Sequence, residues 1–501
     1  MDLISNLAIG FDVVFTPINL LYCFVGVTIG TAIGVLPGIG PTATIAMLLP
    51  ITFSLSPTAS LIMLAGIYYG AQYGGSTTAI LLSLPGESAS VITAIDGYQM
   101  ARRGRAGAAL AAAAIGSFVA GCIATVLIAV FALPLTWLAL EFGPAEYFSL
   151  MVLGLVSSIV LASGSLLKAV AMILLGLLLG LVGTDLYSGA SRFTLDFLEL
   201  ADGLDFVAVA VGIFGVAEIL RNLEGAEERA TFVAKVSGLL PTSEDLKRIV
   251  GPILRGTAVG SILGIFPGGG ALLSSFAAYT LEKKVSRNAS EFGHGAIEGV
   301  AAPESANNAG SQTSFIPMLT LGIPSNPVMA MMIGALMIQG IAPGPNVAAD
   351  RPDLFWGIIV SMWIGNVMLL VLNLPLLGVW VRLLSIPYKI LIPAIIAFCC
   401  IGVYSIETNT FGLYEITFFG LLGYGLAKLG CEPAPLVLGF ILGPMVEDHM
   451  RRALILSRGD PSIFVTQPIS LGLLLAALLA LVINCLPNIA RKREEVFIEE
   501  D

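Results

Sequence analysis

The stretch G-T-A-I-G-V-L-P-G-I-G, Gly30 to Gly40, returns 230 positions later as G-S-I-L-G-I-F-P-G-G-G, Gly260 to Gly270, and its reading decides the fold. Gly30, Gly34, Pro37, Gly38 and Gly40 match Gly260, Gly264, Pro267, Gly268 and Gly270 at identical internal spacing. Proline removes a backbone donor and glycine removes the side chain, so each copy is expected to interrupt a helix. Both copies lie in apolar sequence, where lipid penalises exposed backbone, so the interruption survives only inside protein or beside a polar cavity. Paired interruptions in the two halves of a membrane protein point to a transporter's binding site.

Composition agrees. The chain has 501 residues, 56% hydrophobic and 12% charged, with a mean hydropathy of +0.93, outside the range of a soluble globular protein. No charged residue occurs from Val13 to Gly86, and further charge-free runs cover Ala106 to Leu140, Ser305 to Ala349, Leu354 to Val381 and Ser462 to Ala490. Since about 20 apolar residues cross a bilayer, roughly ten to twelve spans are expected. The formal charge of -10 comes from loops and the tail Glu494 to Asp501 and gives no reason to expect a nucleic-acid partner. Six cysteines are scattered without a C-x2-C pair and read as structural filler. The N-terminus has no basic region before its first apolar stretch, so the first span is expected to serve as its own insertion signal.

The charged stretch Arg221 to Arg255 divides the chain. The expected organisation is a membrane repeat over 1–220, a charged cytoplasmic connection over 221–255, a second membrane repeat over 256–490 and a charged tail over 491–501. In the first half the signature is followed by Y-Y-G-A-Q-Y-G-G-S-T-T, Tyr68 to Thr78, and in the second by P-E-S-A-N-N-A-G-S-Q-T, Pro303 to Thr313. Two related repeats are the economical explanation. The expected fold is an all-α polytopic membrane protein with discontinuous helices and re-entrant hairpins, its repeats inverted on architectural rather than charge grounds. Two apolar arms of about 11 residues, Gly256 to Phe266 and Ala271 to Leu281, each reach about half the membrane at 1.5 Å per residue. Lys247, Arg248 and Arg255 before them and Lys283, Lys284 and Arg287 after them put both ends on the cytoplasmic side. That favours a hairpin tipped by Pro267 to Gly270 over one broken span. Arg102, Arg103 and Arg105, and Arg491, Lys492 and Arg493, mark further cytoplasmic segments.

Catalytic motifs are mostly absent. There is no G-x4-G-K-[ST], and with only His294 and His449 there is no H-E-x-x-H helix. Gly38-Ile39-Gly40 lacks the strand and the acid of a dinucleotide site, and Asn288-Ala289-Ser290 is a chance glycosylation triplet. The remaining polar inventory suits ions: unwound carbonyls with Ser, Thr and Asn oxygens supply hard-oxygen ligands, and free helix N-termini attract carboxylates. The candidate substrate contacts are Gly38, Gly40, Thr42, Ser76, Thr77, Gly268, Gly270, Asn307, Asn308, Ser311 and Thr313. Candidate Na+ ligands are Pro37, Gly38, Ser76, Thr78, Pro267, Asn307 and Asn308, with Glu304 as a cation or proton site. The charge-free runs offer no Lys or Arg to neutralise an organic anion, so composition itself calls for coupled cations, Na+ or H+. For any single Gly or Ser, helix packing is the better reading; the repeated constellation favours function. Glu87 and Glu304 read equally well as midplane ligands or as water-exposed acids at hairpin mouths, ahead of Glu298, Asp96 and Asp185. The four tryptophans read as interfacial or packing residues.

The segments G-T-A-I-G-V-L-P-G-I-G-P-T-A, Gly30 to Ala43, and A-A-P-E-S-A-N-N-A, Ala301 to Ala309, together with G-I-P-S-N at Gly322 to Asn326, resemble the large membrane subunit of tripartite tricarboxylate transporters, the TctA family. The resemblance runs over essentially the whole chain. It implies a secondary-active, multi-pass importer of the bacterial inner membrane, working with a small membrane subunit of about four spans and a periplasmic solute-binding protein. It implies a carboxylate substrate, citrate or another tricarboxylate or a dicarboxylate, driven by a cation gradient. Carried onto this chain, Pro37 to Thr42 and Pro267 to Gly270 would form hairpin tips, and Ser76, Thr77, Asn307, Asn308 and Ser311 would line a central site. An intramembrane enzyme built on Glu304, Asn307 and Asn308, and a passive anion channel, are the alternatives; a transporter, not an enzyme, is expected.

Overall fold

The computed structural model describes residues 3–36, 40–84, 86–161, 165–185, 187–224, 241–266, 270–383, 388–407 and 409–485. The described residues are almost wholly helical; the exceptions include one two-stranded antiparallel ribbon pairing Gly183 with Arg192 and Thr184 with Ser191. Many helices start on a proline at their first position, as at Pro17, Pro41, Pro57, Pro327, Pro352 and Pro433, where the missing N–H costs nothing. Side-chain caps begin others: Asn326 Oδ1 accepts from Met329 N at 3.0 Å, and Thr242 and Asp245 form a reciprocal capping box.

Among the described residues, five helices are long and apolar enough to cross a membrane: Pro17–Val35, Ala106–Leu140, Phe206–Glu224, Ser243–Ile265 and Pro352–Asn373. Large apolar side chains stand exposed on several surface helices, such as Leu167, Leu174 and Leu178 on Leu166–Gly180, and Leu475, Leu478, Leu479 and Val482 on Pro468–Cys485. Lipid is the solvent such faces require.

Both signature copies interrupt helices. Pro17–Val35 stops and Pro41–Thr52 begins, and Ser243–Ile265 stops before Gly270–Val285. Pro37, Gly38, Pro267 and Gly268 lie outside the described residues. The first arm of the second copy is longer than its apolar run, because the helix starts at Ser243 on the strength of its capping box, well before Gly256. The two arms lie side by side, and their far ends are joined by a bidentate ion pair: Arg255 Nε and Nη2 donate to Glu282 at 2.8 and 2.7 Å.

Each interrupted helix lies against an inner helix with backbone touching backbone. A Cβ on Gly26, Gly30 or Gly34 would collide with the carbonyl oxygens of Met63, Ile67 and Ala71 on the first inner helix, Pro57–Leu82. In the second half, Gly256, Gly260 and Gly264 meet the carbonyl oxygens of Ala302, Ala306 and Gly310 on the second inner helix, Glu298–Thr313. Around this centre the halves interlace. Gly176 and Gly439 seat Leu166–Gly180 on Pro433–Leu456, while Gly212 and Gly423 seat Phe206–Glu224 on Phe411–Lys428.

A methyl group at these seams has nowhere to go. Gly260→Ala is expected to cost about 1–3 kcal/mol through overpacking, seen as a lower thermal midpoint of the purified protein. Gly425→Ala, whose Cβ meets nothing within 4 Å, should leave the midpoint unchanged or raise it. Equal midpoints for wild type and Gly260→Ala would contradict the backbone contact.

Candidate functional site

The second inner helix has the composition of a loop, E-G-V-A-A-P-E-S-A-N-N-A-G-S-Q-T, yet every one of its residues is buried. A helix that is polar on all sides and hidden on all sides must find hydrogen-bond partners for its side chains within the protein. It finds them on the first inner helix, on Ser90–Arg102 and on Ala106–Leu140.

Glu304 is fully buried, and its three side-chain partners are hydroxyls. Ser76 Oγ donates to Oε2 at 2.6 Å, Thr93 Oγ1 donates to Oε1, and Ser117 Oγ approaches Oε2 at 3.5 Å. Asn308 Nδ2 donates to Ser117 Oγ at 2.7 Å and to the Glu304 carbonyl at 3.2 Å. Glu87, in the turn after the first inner helix, is also buried. It accepts from Ala89 N at 3.1 Å and from Asn307 Nδ2 at 3.0 Å. With its amide nitrogen toward Glu87, Gln72 donates to Glu87 Oε1 and Asn307 Oδ1, each at 2.8 Å, while its oxygen accepts from Ser311 Oγ at 3.2 Å. Two carboxylates thus sit among neutral donors at the meeting of the inner helices. Burying a carboxylate this way is costly without a compensating cation, so the arrangement is suited to receiving a proton or a metal cation.

Asp96 is the third buried acid, and its surroundings differ. It accepts from the backbone N–H groups of Gly295 and Ala296 at 2.7 and 2.9 Å and from Tyr279 Oη at 2.9 Å. Those bonds tie the start of the second inner helix to Ser90–Arg102 and Gly270–Val285. Glu298 is likewise committed, to Arg248 at 2.9 and 2.7 Å and to Asn288 at 2.9 Å.

The model of the tripartite tricarboxylate transporter TctA family matches residues 20–438, a stretch that holds both signatures and both inner helices. The chain belongs to the TctA family. Two relatives come from Agrobacterium vitis. One, named "Uncharacterized 52.8 kDa protein in TAR-I ttuC' 3'region", is 62% identical over 501 residues and covers the whole of both chains. The other, "Uncharacterized protein in TAR-II ttuC' 3'region", is 60% identical over 235 residues, 47% of this chain and 97% of its own. No solved structure matches. As a TctA protein the chain is a multi-pass membrane subunit of a tripartite tricarboxylate transporter.

Among the residues that the sequence pointed to, Ser76, Asn307, Asn308, Ser311 and Glu304 come together between the inner helices. Thr77 lines a small cavity beside Ser76. Thr78 Oγ1 donates at 2.7 Å to the carbonyl of Val35, the last residue of the first interrupted helix. Thr313 Oγ1 donates to Ala309 O at 3.0 Å in its own helix. Gly40 and Thr42 stand at the start of Pro41–Thr52, where the Gly40 carbonyl accepts from Thr44 Oγ1 at 2.9 Å. Gly270 has φ +47, and a Cβ there would stand 3.7 Å from Asn326 Cβ. Glu87 and Glu304 are buried, so the water-exposed alternative for these acids does not hold. Gln72, Thr93 and Ser117 also belong to the cluster; Gln72 lies within the motif Tyr68 to Thr78, whereas Thr93 and Ser117 fall in no motif and fit simple packing equally well.

The contrast between acids is testable. Asp96→Ala leaves three donors without an acceptor and should lower stability by on the order of 3 kcal/mol or more, read as a lost or sharply lowered thermal midpoint. Asp96→Asn keeps one acceptor oxygen and should recover part of the loss. Wild-type stability in both variants would remove Asp96 from its clamping role.

Proposed function

We propose that this chain is the large membrane subunit of a secondary-active, cation-coupled importer of carboxylate anions, citrate or other tricarboxylates or related dicarboxylates. A periplasmic solute-binding protein delivers the substrate, and a small membrane subunit of about four spans packs against the chain in the bacterial inner membrane. The observation that carries this reading is the fully buried polar inner helix, which sets Glu304 and Asn307 beside Ser76 and Glu87 with neutral partners. Such a centre needs cations, and cations in turn supply the positive charge that an organic anion requires where the helices offer neither Lys nor Arg. Na+ or H+ is the coupling ion.

In this reading the chain forms two related repeats, 1–220 and 256–490, joined by the cytoplasmic connection 221–255, with roughly ten to twelve spans in all and the cytoplasmic tail 491–501. The matching glycine seams support relatedness; the inverted arrangement is part of the proposal on architectural grounds. The Arg255–Glu282 pair supports a re-entrant hairpin, since a continuous broken span would hold these residues at opposite ends. The tips Pro37 to Thr42 and Pro267 to Gly270 then present backbone to the substrate, and the hairpin-bearing core moves against the outer helices to expose the site alternately.

The test is uptake of labelled citrate by vesicles holding this chain, its small partner and the binding protein, measured against Na+ and pH gradients. Asn307→Ala and Ser76→Ala should each raise the half-saturating cation concentration about tenfold, the loss of one oxygen ligand, at wild-type expression. Uptake that persists after both gradients are collapsed would instead indicate a passive channel.

A further inference from the structure

A small cavity lies between the first inner helix, Ala106–Leu140 and Pro352–Asn373, and its polar wall is made by Tyr73, Ser76, Thr77, Ser117 and Asn373. The asparagine is 5% exposed. Its Nδ2 donates to Leu369 O at 3.0 Å, whereas its Oδ1 is buried with no hydrogen-bond partner. Buried oxygens of this kind are satisfied in folded proteins by a donor or a cation.

Of the hydroxyls around it, those of Ser76, Ser117 and Tyr73 face partners outside the cavity. Ser76 Oγ donates to Glu304 at 2.6 Å. Ser117 Oγ accepts from Asn308 at 2.7 Å and faces Glu304 at 3.5 Å. Tyr73 Oη points to Asn366 Oδ1 at 3.5 Å. Lone pairs are therefore what these groups have left for the cavity, and the carboxylate of Glu304 stands one hydroxyl behind the wall. At Ser76, Ser117 and Asn373 an anion would meet oxygen lone pairs; a hard cation would meet ligands. The space has room for roughly one water or one bare ion, far too little for a tricarboxylate. A single carboxylate balances a single charge, whereas Ca2+ or Mg2+ asks for more acidic oxygens and a larger shell.

We propose that this cavity is a binding site for one sodium-sized monovalent cation, held by Ser76, Ser117 and Asn373 and balanced by Glu304. The proposal rests on the cation-coupled reading above and gives the cation a cavity too small to hold the organic anion.

Radiolabelled Na+ binding to the purified complex of this chain with its small partner tests it directly. Ser117→Ala and Asn373→Leu are each expected to raise the half-saturating Na+ concentration about tenfold or more. Asn373→Asp keeps the oxygen, guards against a folding artefact, and should bind at least as well as wild type. Wild-type affinity in Ser117→Ala and Asn373→Leu would overturn the site, as would a wild-type protein that binds no Na+, in which case the cavity holds water. Citrate uptake measured in parallel separates the two ideas. Gradient-driven uptake with Na+ affinity unmoved in these variants removes the site and leaves the importer standing. Na+ binding lost in the variants, with uptake indifferent to the gradient, leaves the site standing and removes the coupling.

Discussion

Backbone laid directly on backbone is the constraint on which the centre of this protein depends. A helix interrupted in lipid frees carbonyls and N–H groups that only protein can satisfy. The glycines of both signatures let the broken helices approach the inner helices closely enough to do so. Thr78 shows the consequence, reaching from the first inner helix to the Val35 carbonyl at 2.7 Å. Gly86 completes the contact, since a Cβ there would run into the Gly34 carbonyl and Gly75 Cα. The turn carrying Glu87 is thereby pressed onto the first break, which is how an acid in a loop comes to be buried beside Asn307.

Close approach also decides what the inner helices can be made of. With glycine and alanine on their seams, Ser, Thr, Asn and Gln project between them, and these short side chains reach one another without long flexible stems. The carboxylates consequently rest on hydroxyl and amide donors. Arginines appear where the helices emerge, on Glu282 and Glu298, as bidentate pairs that anchor ends rather than serve the centre. Charge neutralisation is thus segregated: arginines pair with Glu282 and Glu298, while Glu304 and Glu87 rest on hydroxyl, amide and backbone donors.

The breaks and the fold class were legible in the sequence because a proline with three or four glycines inside apolar runs has few other meanings. Ser76, Asn307 and Glu304 were legible for a related reason, as polar residues clustered where charge-free sequence offers no surface for them. Thr78 is ambiguous in sequence, since a threonine near a break looks the same whether it binds an ion or satisfies a carbonyl; its hydroxyl bonds the Val35 carbonyl. Asn366 and Asn373 went unnoticed although they stand seven apart in the charge-free run Leu354 to Val381, on one face of a helix. Ser117, like Thr125 and Thr136 in the same alanine-rich helix, reads as a residue bonded to its own backbone. Its role depends on which helix lies opposite, and that pairing of segments nearly 200 residues apart is not written in local pattern.

The segregation of charge bears on the order of events in the proposed transport cycle. With its cation absent, the centre holds buried carboxylates, and an arriving tricarboxylate would add negative charge to negative charge at low dielectric, where such repulsion is strong. Once a cation is bound, the same approach meets a compensated centre. Each ligand then raises the other's affinity by the same factor, as linkage requires. A state holding the organic anion alone is disfavoured by its uncompensated charge, and it is this disfavoured state that would have to cross for substrate to leak without its driving ion. In that proposed cycle, tight coupling would follow from leaving lysine and arginine out of the inner helices: a permanent cation there would stabilise the anion unconditionally and uncouple its movement from the gradient.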